Sequence, residues 1–253
     1  MLKTKQKPPQ VSQNLFPLKV EKLAFEANGK KLINNLSFEL EADGITALMG
    51  PNGAGKSLTL RLLHNLIKKT SGTINWNNET NQQLIQNSQA MVFQKPVLLR
   101  RSVIENLRYN LHVKKITGKA QQAELIEEAL TRAGLTKHAN NPARLLSGGE
   151  QQKLAMARAL MTSPSILFLD EPTASLDPNA TIVIEDLIKA AKQQGTKIIL
   201  ITHDIGQAKR LAEEVLFLTA GQVSEQGPAK EMIENPKSKP AKQYFSGKIV
   251  TEK

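Results

Sequence analysis

Residues 50–57, Gly-Pro-Asn-Gly-Ala-Gly-Lys-Ser, combine glycines, a lysine and a hydroxyl in a spacing suited to binding phosphate. They fit the pattern G-x-x-x-x-G-K-[ST] and lie between an apolar run, Ile45–Met49, and a helical pattern, Leu58–Ile67. The glycines let backbone N–H groups converge on phosphate oxygens, and the helix N-terminus adds a positive dipole. We therefore expect Lys56 to reach the β- and γ-phosphates of a nucleoside triphosphate and Ser57 to bind Mg²⁺. The alternative, an ordinary glycine-rich turn, is disfavoured by the strand–loop–helix setting.

An acidic pair, Asp170-Glu171, directly follows the apolar run Ile166–Leu169. The run predicts a buried strand, and α/β proteins bind ligands at the carboxyl ends of their strands. Asp170 would hold Mg²⁺ or its water there, and Glu171 would orient and deprotonate the attacking water. An acidic pair can also simply end a strand. Together with the phosphate loop, however, it indicates an ATPase or a GTPase.

A third motif is Leu146-Ser-Gly-Gly-Glu-Gln151. Ser147 followed by Glu150 is the pattern of a capping box, and a helical pattern, Glu150–Met161, follows it. The glycines between them allow close backbone approach, so this helix N-terminus is also suited to receive an anion. A well-capped helix and an anion site are compatible interpretations.

With these motifs in this order, the sequence resembles the ATP-binding-cassette (ABC) ATPases over residues 18–226. The resemblance implies an α/β fold: a P-loop NTPase core with a mostly parallel sheet, an antiparallel β subdomain and a helical insert subdomain. It implies that the chain binds ATP and Mg²⁺. It also implies a head-to-tail homodimer, in which Ser147–Glu150 of one subunit closes over the γ-phosphate bound by the other.

The resemblance assigns roles to further residues that follow predicted strands. Gln94 matches a glutamine that senses Mg²⁺ and links to the helical insert. His203 matches the switch histidine that contacts the γ-phosphate, whereas a structural role is expected for His64, His112 and His138. Ser175-Leu-Asp177 looks like the loop that aligns the two sites of the dimer. Asp177 is also predicted to cap a helix that begins at Pro178.

The expected site residues fall into three groups. Hydrolysis is expected to depend on Lys56, Gln94, Glu171 and His203. Mg²⁺ is expected to be held by Ser57, Gln94 and Asp170. The nucleotide is expected to contact Gly50, Pro51, Asn52, Gly53, Ala54, Gly55, Lys56, Ser57 and Leu58 in the phosphate loop, and Ser147, Gly148, Gly149 and Glu150 in the third motif.

Two positions depart from the family pattern. Ala27 stands where the family usually stacks an aromatic ring on adenine, and Phe25, two residues earlier, is either a core residue or a substitute. We therefore predict modest ATP affinity and weak discrimination between ATP and GTP. Leu58 stands where the family usually has a threonine, and Thr59 lies about 100° further round the helix, so it should not replace the lost α-phosphate contact.

Predicted strands and helices alternate along the chain and must position these residues. This alternation favours α/β layers around a largely parallel sheet. The predicted strands are Ile45–Met49, Ala90–Phe93, Ile166–Leu169, Lys197–Thr202 and Glu214–Leu218. The predicted helices are Leu58–Ile67, Ala120–Ala133, Glu150–Met161 and Pro178–Ala191. Residues 1–17 are expected to be a flexible basic segment, and residues 18–253 the ATPase domain, with a helical subdomain over about 95–162.

Composition narrows the class of protein. The 253 residues include 34 basic and 23 acidic side chains, a net charge of +11, and no cysteine. Disulfides, thiolate zinc sites and iron–sulfur clusters are therefore excluded, and no apolar stretch approaches the ~18–20 residues that span a bilayer. We expect a soluble protein of a reducing compartment. Residues 84–119 carry seven basic side chains against one glutamate, which suits either a solvated face or an anionic partner.

Chains of this kind resemble the separate ATPase subunits of importers. The resemblance implies a peripheral protein at the cytoplasmic face of the cell membrane. Its expected partners are two membrane-spanning permease subunits and an extracytoplasmic substrate-binding protein. Residues 93–103 look like the tungstate branch of the oxyanion importers, and residues 244–249 resemble the tail of phosphate and tungstate cassettes. Tungstate is the expected cargo, with phosphate, molybdate or an amino acid as alternatives.

Three other classes remain as alternatives. An ATPase that acts on ribosomes or DNA is favoured only by the +11 charge, and we expect no nucleic-acid partner. An exporter would share the same core. A non-catalytic binding module conflicts with the presence of Lys56, Asp170, Glu171 and His203.

Overall fold

The computed structural model describes residues 15–247, with a six-stranded sheet at its centre. Its strands are β3 (Ile45–Met49), β5 (Gln89–Val92), β6 (Ile166–Asp170), β7 (Lys197–Ile201), β8 (Glu214–Thr219) and β9 (Gln222–Pro228). The strand order is β5-β6-β7-β3-β8-β9; β9 is antiparallel to β8, and the other neighbours are parallel. Every residue of β3, β6 and β7 is buried, because both faces of the sheet are covered and continuous apolar runs are stable there.

A smaller antiparallel sheet has the strand order β2-β1-β4. Its strands are β1 (Leu18–Ala27), β2 (Lys30–Leu40) and β4 (Ser71–Trp76). Buried residues of β1 and β2 share one hydrophobic cluster with Leu48 of β3, Leu60 and Phe168, so the small sheet packs on the central layer. The antiparallel subdomain implied by the family resemblance is confirmed.

The predicted flexible segment, residues 1–17, extends too far toward the C-terminus. Leu15 and Phe16 are buried, and the ring of Phe16 packs edge-on against Trp76 with 5.9 Å between the ring centroids. Burial of two large apolar side chains is the physical reason, because it stabilises a fixed position for this part of the chain. Residues 1–14 lie outside the described part of the chain.

The helices agree with the sequence patterns to within one or two residues at most ends. Leu58–Ile67 is the exception, because α1 begins at Lys56, ends at Leu63, and is followed by Asn65 with a left-handed φ of 60°. The helices are α1 (Lys56–Leu63), α2 (Gln82–Asn87), α3 (Val103–Val113), α4 (Lys119–Arg132), α5 (Gly148–Leu160), α6 (Pro178–Gln193), α7 (Ile205–Leu211), α8 (Ala229–Glu234) and α9 (Lys239–Phe245).

Helices α3, α4 and α5 lie between β5 and β6 and pack around a hydrophobic cluster of their own. Leu107, Ile126 and Leu154 are members of this cluster, one from each helix. The buried side chain of Asn106 bonds to the backbone of Leu99 in both directions, which organises the connection into α3. Within residues 15–247, none of the helices is long and apolar enough to cross a membrane.

Candidate nucleotide-binding and hydrolysis site

The phosphate loop connects β3 to α1 and depends on glycine at defined positions. Gly50, Gly53 and Gly55 have φ angles of 142°, 84° and 93°, which other residues rarely adopt. A Cβ atom at Gly50 would lie only 2.1 Å from the carbonyl oxygen of Leu218 on β8. Helix α1 has no side-chain cap, so its first N–H groups are suited to bind an anion.

Lys56 is held inside this loop. Its side chain is buried, and Nζ donates to the carbonyl oxygens of Gly50 and Pro51, both at 2.8 Å. Burial lowers the pKa of Lys56 to about 8, against the opposing effect of the carboxylates of Glu171 and Asp170. The ammonium group is therefore already partly desolvated where phosphate oxygens are expected to bind.

Ser57 and Asp170 meet where α1 begins and β6 ends. The hydroxyl of Ser57 donates to Oδ1 of Asp170 at 2.9 Å. Burial raises the pKa of the Asp170 carboxyl, although the hydrogen bond from Ser57 acts in the opposite direction. A hydroxyl and a carboxylate in contact are the oxygen ligands that Mg²⁺ prefers, so these two residues fit the predicted metal.

Glu171 lies at the centre of the site. Its Oε1 is 2.8 Å from Nε2 of His203, and its Oε2 accepts a hydrogen bond from Nε2 of Gln94 at 3.0 Å. The three residues follow β6, β7 and β5, which are neighbours in the sheet. Glu171 has a left-handed φ of 48°, and its backbone N–H bonds to the carbonyl oxygen of Ile201 at 3.1 Å. Strain at a non-glycine residue is typical of functional sites.

The third motif forms the predicted capping box at the start of α5. The backbone N–H of Glu150 bonds to the hydroxyl of Ser147 at 3.3 Å, and the Glu150 carboxylate accepts from the backbone N–H of Ser147 at 2.8 Å. These bonds from Ser147 lower the pKa of Glu150, and Nε2 of His138 lies 3.1 Å from Oε1 of its carboxylate. Among the described residues, no hydrogen bond or ion pair joins this motif to residues 50–57 or to Glu171. Within one chain the motif is therefore a separate cluster.

Asp177, predicted to cap a helix, does so, because its carboxylate accepts from the backbone N–H of Ala180 at 2.9 Å. The start of α6 in turn packs on the third motif, since a Cβ atom at Gly149 would lie 3.1 Å from Cβ of Ala180. Small residues at this contact allow α5 and α6 to approach closely. The contact connects the third motif to the loop that follows Glu171.

The positions that depart from the family pattern lie at the end of β1 and in α1, and their packing is defined. Phe25 is partly buried and packs against the hydrophobic cluster between the two sheets. Ala27 ends β1 and is partly buried. Thr59 is fully buried with its hydroxyl bonded to the carbonyl oxygen of Gly55 at 3.0 Å, which agrees with the expectation that it does not replace the missing threonine. Leu58 packs against the same cluster as Phe25.

Sequence reasoning missed a polar network behind Glu171. The buried carboxylate of Glu185 accepts two hydrogen bonds from Arg210, at 2.7 and 3.1 Å, and one from Gln207 at 3.2 Å. Gln207 also donates to the hydroxyl of Thr173 at 2.9 Å. The network thus connects α6 and α7 to the segment directly after Glu171. The spacing of these residues in the sequence gives no signal of the contact.

Sequence reasoning also missed an aromatic neighbour of His203. The hydroxyl of Tyr244, on α9, lies 3.5 Å from Nδ1 of His203, on the opposite side of the ring from Glu171. In the sequence, Tyr244 belongs to the tail, residues 244–249, whose resemblance to other cassettes implies no role for its side chain. Its position beside the site follows from the packing of α9 on β8, which no local pattern reveals.

A phosphate loop on a parallel sheet, with a carboxylate between a glutamine and a histidine, defines a P-loop nucleoside triphosphatase. A profile of the family described as "ABC transporter" matches residues 33–174, more than half of the chain. The chain therefore belongs to the ABC transporter family and is one of its ATPases, which bind ATP with Mg²⁺ and hydrolyse it.

Individual relatives agree with this family. The phosphate import ATP-binding protein PstB 2 of Natronomonas pharaonis is 35% identical over 238 residues, which cover 88% of this chain and 84% of that protein. The arginine transport ATP-binding protein ArtM of Bacillus subtilis is 36% identical over 236 residues, covering 90% and 98%. The dimeric structure of the ATP-binding cassette MJ0796, bound to ADP and Pi, superposes with a TM-score of 0.74 at 28% identity, covering 84% of this chain and 98% of that one.

Proposed function

We propose that the chain is the ATP-hydrolysing subunit of a membrane importer and that Glu171 is the general base of hydrolysis. The observation that carries this proposal is the position of Glu171, held between Gln94 and His203 at the ends of three adjacent strands. The phosphate loop and the Ser57–Asp170 pair lie on the same edge of the sheet. This common edge supports the proposal that Lys56, Gln94, Glu171 and His203 act on one bound triphosphate.

Binding of ATP would replace contacts that the loop now makes with itself. Phosphate oxygens would accept from Nζ of Lys56 in place of the carbonyl oxygens of Gly50 and Pro51. The uncapped N–H groups of α1 would bind further phosphate oxygens. Mg²⁺ would be held by Ser57 and Asp170 together with Gln94, and when bound it polarises the phosphoryl oxygens as a Lewis acid.

Hydrolysis then needs a base and a group that faces the γ-phosphate. The oxygen of a water bonds to the γ-phosphorus, the bond from that phosphorus to the β–γ bridging oxygen breaks, and Glu171 accepts the proton of the water. Gln94 orients the carboxylate from one side. Without nucleotide, Nε2–H of His203 holds the carboxylate from the other side, and with ATP bound the same N–H would donate to the γ-phosphate. The carboxylate of Glu171 is partly exposed, so water can reach it.

A head-to-tail dimer would complete each site. The motif Ser147–Glu150 has no hydrogen bond to its own phosphate loop among the described residues, yet it opens α5 with N–H groups suited to an anion. A second subunit can bring this motif to the γ-phosphate of the first. The dimeric state of MJ0796 with ADP and Pi supports this arrangement.

The membrane partners are proposed to be two permease subunits, with an extracytoplasmic substrate-binding protein. The names of the relatives, which refer to import and transport, support this. The seven basic residues between 84 and 119 are compatible with the cytoplasmic face of a membrane, because anionic lipid attracts them at roughly 1 kcal/mol each. Among the described residues, only Arg108 of these seven pairs with a carboxylate, that of Glu105.

The proposed cargo is an oxyanion. Phosphate is supported by the name of the relative from Natronomonas pharaonis, and tungstate by the resemblance of residues 93–103 and of the tail. Tail residues 248 and 249 lie outside the described part of the chain. The ATPase does not contact the cargo, so the ion must be identified in cells.

Glu171→Gln tests the hydrolytic role. It keeps the side-chain volume but removes the base, so we expect ATP to remain bound in a dimer with little turnover, measured by size-exclusion chromatography and phosphate release. Glu124→Gln, on the exposed face of α4, is the matched control and should hydrolyse ATP normally. Normal hydrolysis by Glu171→Gln would remove this residue from its role.

Elemental analysis of cells lacking the chain tests the cargo. Parent and deletion cells are grown with trace tungstate and molybdate, and cell-associated tungsten, molybdenum and phosphorus are measured. A selective fall in one element, restored by the wild-type chain but not by Glu171→Gln, identifies the oxyanion. No change in any of the three would reject oxyanion import and leave amino-acid import, for which the name of ArtM provides the precedent, or export.

A further inference from the structure

Helix α9 is fixed firmly against the central sheet. The carboxylate of Glu225, on β9, accepts from the backbone N–H groups of Lys237, at 2.9 and 3.1 Å, and Ser238, at 2.7 Å. The hydroxyl of Ser238 then caps the helix by accepting from the backbone N–H of Ala241 at 3.3 Å. Ala241 is fully buried. These contacts set the position and direction of a short helix that would be unstable alone.

The ring of Tyr244 is positioned by aromatic packing. It meets Phe217, a fully buried residue of β8, edge-on with 5.2 Å between centroids, and Phe245 at 5.3 Å with an interplanar angle of 90°. Two such contacts, with Phe217 and Phe245 also packed on each other at 5.7 Å, restrict the orientation of the ring. Its hydroxyl is thereby directed at His203, 41 residues earlier in the chain.

The two nitrogens of the His203 ring have different neighbours. Nε2 lies 2.8 Å from the Glu171 carboxylate, which can only accept a hydrogen bond, so Nε2 carries a proton. In the neutral ring Nδ1 is then an acceptor, and the Tyr244 hydroxyl, at 3.5 Å, is the donor that faces it. Burial raises the pKa of Tyr244, with a further contribution from the charge of Glu171, so the hydroxyl keeps its proton.

We propose that Tyr244 is a positioning residue of the hydrolysis site: its hydroxyl donates to Nδ1 of His203 and holds the ring with Nε2–H directed at Glu171 and the γ-phosphate. This inference rests on the role proposed above for His203. The separation of 3.5 Å is long for a hydrogen bond, and it is expected to shorten when nucleotide binds, as catalytic contacts commonly do. Helix α9 is thus part of the site although it carries no reacting group.

Tyr244→Phe tests the inference because it keeps the ring packing and removes only the hydroxyl. The chain has two tyrosines, so Tyr109→Phe on α3 is the matched control. We expect Tyr244→Phe to lower kcat about two- to tenfold, the effect of one hydrogen bond, with KM for ATP and the thermal midpoint unchanged. A purely structural role would lower the thermal midpoint instead.

A spectroscopic measurement reports on the contact itself. The full chain contains four histidines, so ¹⁵N-histidine labelling gives a simple spectrum, and a His203→Gln variant assigns the resonances. In a neutral ring the resonance of the unprotonated nitrogen is sensitive to a hydrogen-bond donor. We expect the Nδ1 resonance of His203 to move in Tyr244→Phe and to stay in place in Tyr109→Phe.

The outcomes separate this inference from the proposed function. If His203→Gln abolishes hydrolysis while Tyr244→Phe changes neither kcat nor the Nδ1 resonance, the inference is wrong and the role of His203 stands. If His203→Gln hydrolyses ATP normally, the proposed role of His203 fails, even where the resonance confirms the contact with Tyr244. A moved resonance together with a lower kcat supports the inference.

Discussion

Gly50→Ala should damage the phosphate loop far more than Gly53→Ala. The added Cβ at position 50 would lie 2.1 Å from the carbonyl oxygen of Leu218, more than an ångström short of ordinary contact at 3.4 Å. Leu218 is fully buried on β8, so the strand cannot move without disturbing the core. Overpacking costs about 1–3 kcal/mol and the unfavourable φ of 142° a similar amount, which gives roughly 2–6 kcal/mol in total.

The loss of function should exceed the loss of stability. The carbonyl oxygen of Gly50 accepts from Nζ of Lys56, so a displaced loop moves the lysine, and an error of about 1 Å can cost on the order of 100-fold in rate. Gly53 has a φ of 84° but open space around its Cβ, so only backbone strain of about 1–2 kcal/mol is expected. Urea unfolding and ATP binding of both variants provide the comparison. Equal stabilities and equal affinities would refute the argument from the Leu218 contact.

Three further predictions concern the position expected to contact adenine and two buried charged side chains. Ala27→Tyr should tighten ATP binding by about 1–3 kcal/mol if a ring there stacks on adenine, and unchanged affinities for ATP and GTP would reject this. Arg210→Met should lower the free energy of unfolding by about 1–3 kcal/mol at neutral pH, because Glu185 then keeps only one of its donors. Burial acts to raise the pKa of Glu185, but hydrogen bonds from Arg210 and Gln207 hold it below 4.5. The stabilisation that Arg210 provides is therefore lost as the pH falls through this lowered pKa. Simple additivity of Arg210→Met and Glu185→Gln in a double variant would contradict the proposed contact. Burial lowers the pKa of Lys197 below 10.5, its value in the unfolded chain. Between the lowered pKa and 10.5 the unfolded chain therefore binds more protons than the folded chain, so the free energy of unfolding should rise with pH. Lys197→Met should remove this rise when urea unfolding is measured across that pH range.

Much of the fold is predictable because continuous apolar runs can only be buried strands or helices. All five predicted strands form, within one residue at each end. The small antiparallel sheet was predicted only from the family resemblance, since β1 contains bulges and a left-handed Lys22 that break its alternation. Helix α3 lies inside the helical subdomain predicted for residues 95–162, but no separate helix was predicted for it, although Ser102 and Glu105 have the spacing of a capping pattern and Ser102 caps it.

The site itself is less predictable, because strand order rather than sequence distance brings its residues together. Gln94 and Glu171 are 77 residues apart, and they meet because β5 and β6 are neighbours. Local patterns predict each strand but not which strands lie beside it in the sheet. Only the family resemblance therefore predicts that Gln94 and Glu171 lie in one site. The contact of Tyr244 with His203 depends in addition on how α9 packs, which has no sequence signature.

The left-handed backbone of Glu171 also explains which substitution tests the site well. A left-handed φ costs about 1–2 kcal/mol at a non-glycine residue, whereas hydrogen bonds to a charged group contribute about 1.5–3 kcal/mol each. The contacts with Gln94 and His203 therefore offset the strain. Alanine at this position would remove both contacts and let the backbone relax, so lost activity would not report on the base. Glutamine keeps the volume and one accepting oxygen, so it retains one of the two hydrogen bonds. A loss of turnover in Glu171→Gln therefore reports on the missing carboxylate more directly than a loss in Glu171→Ala.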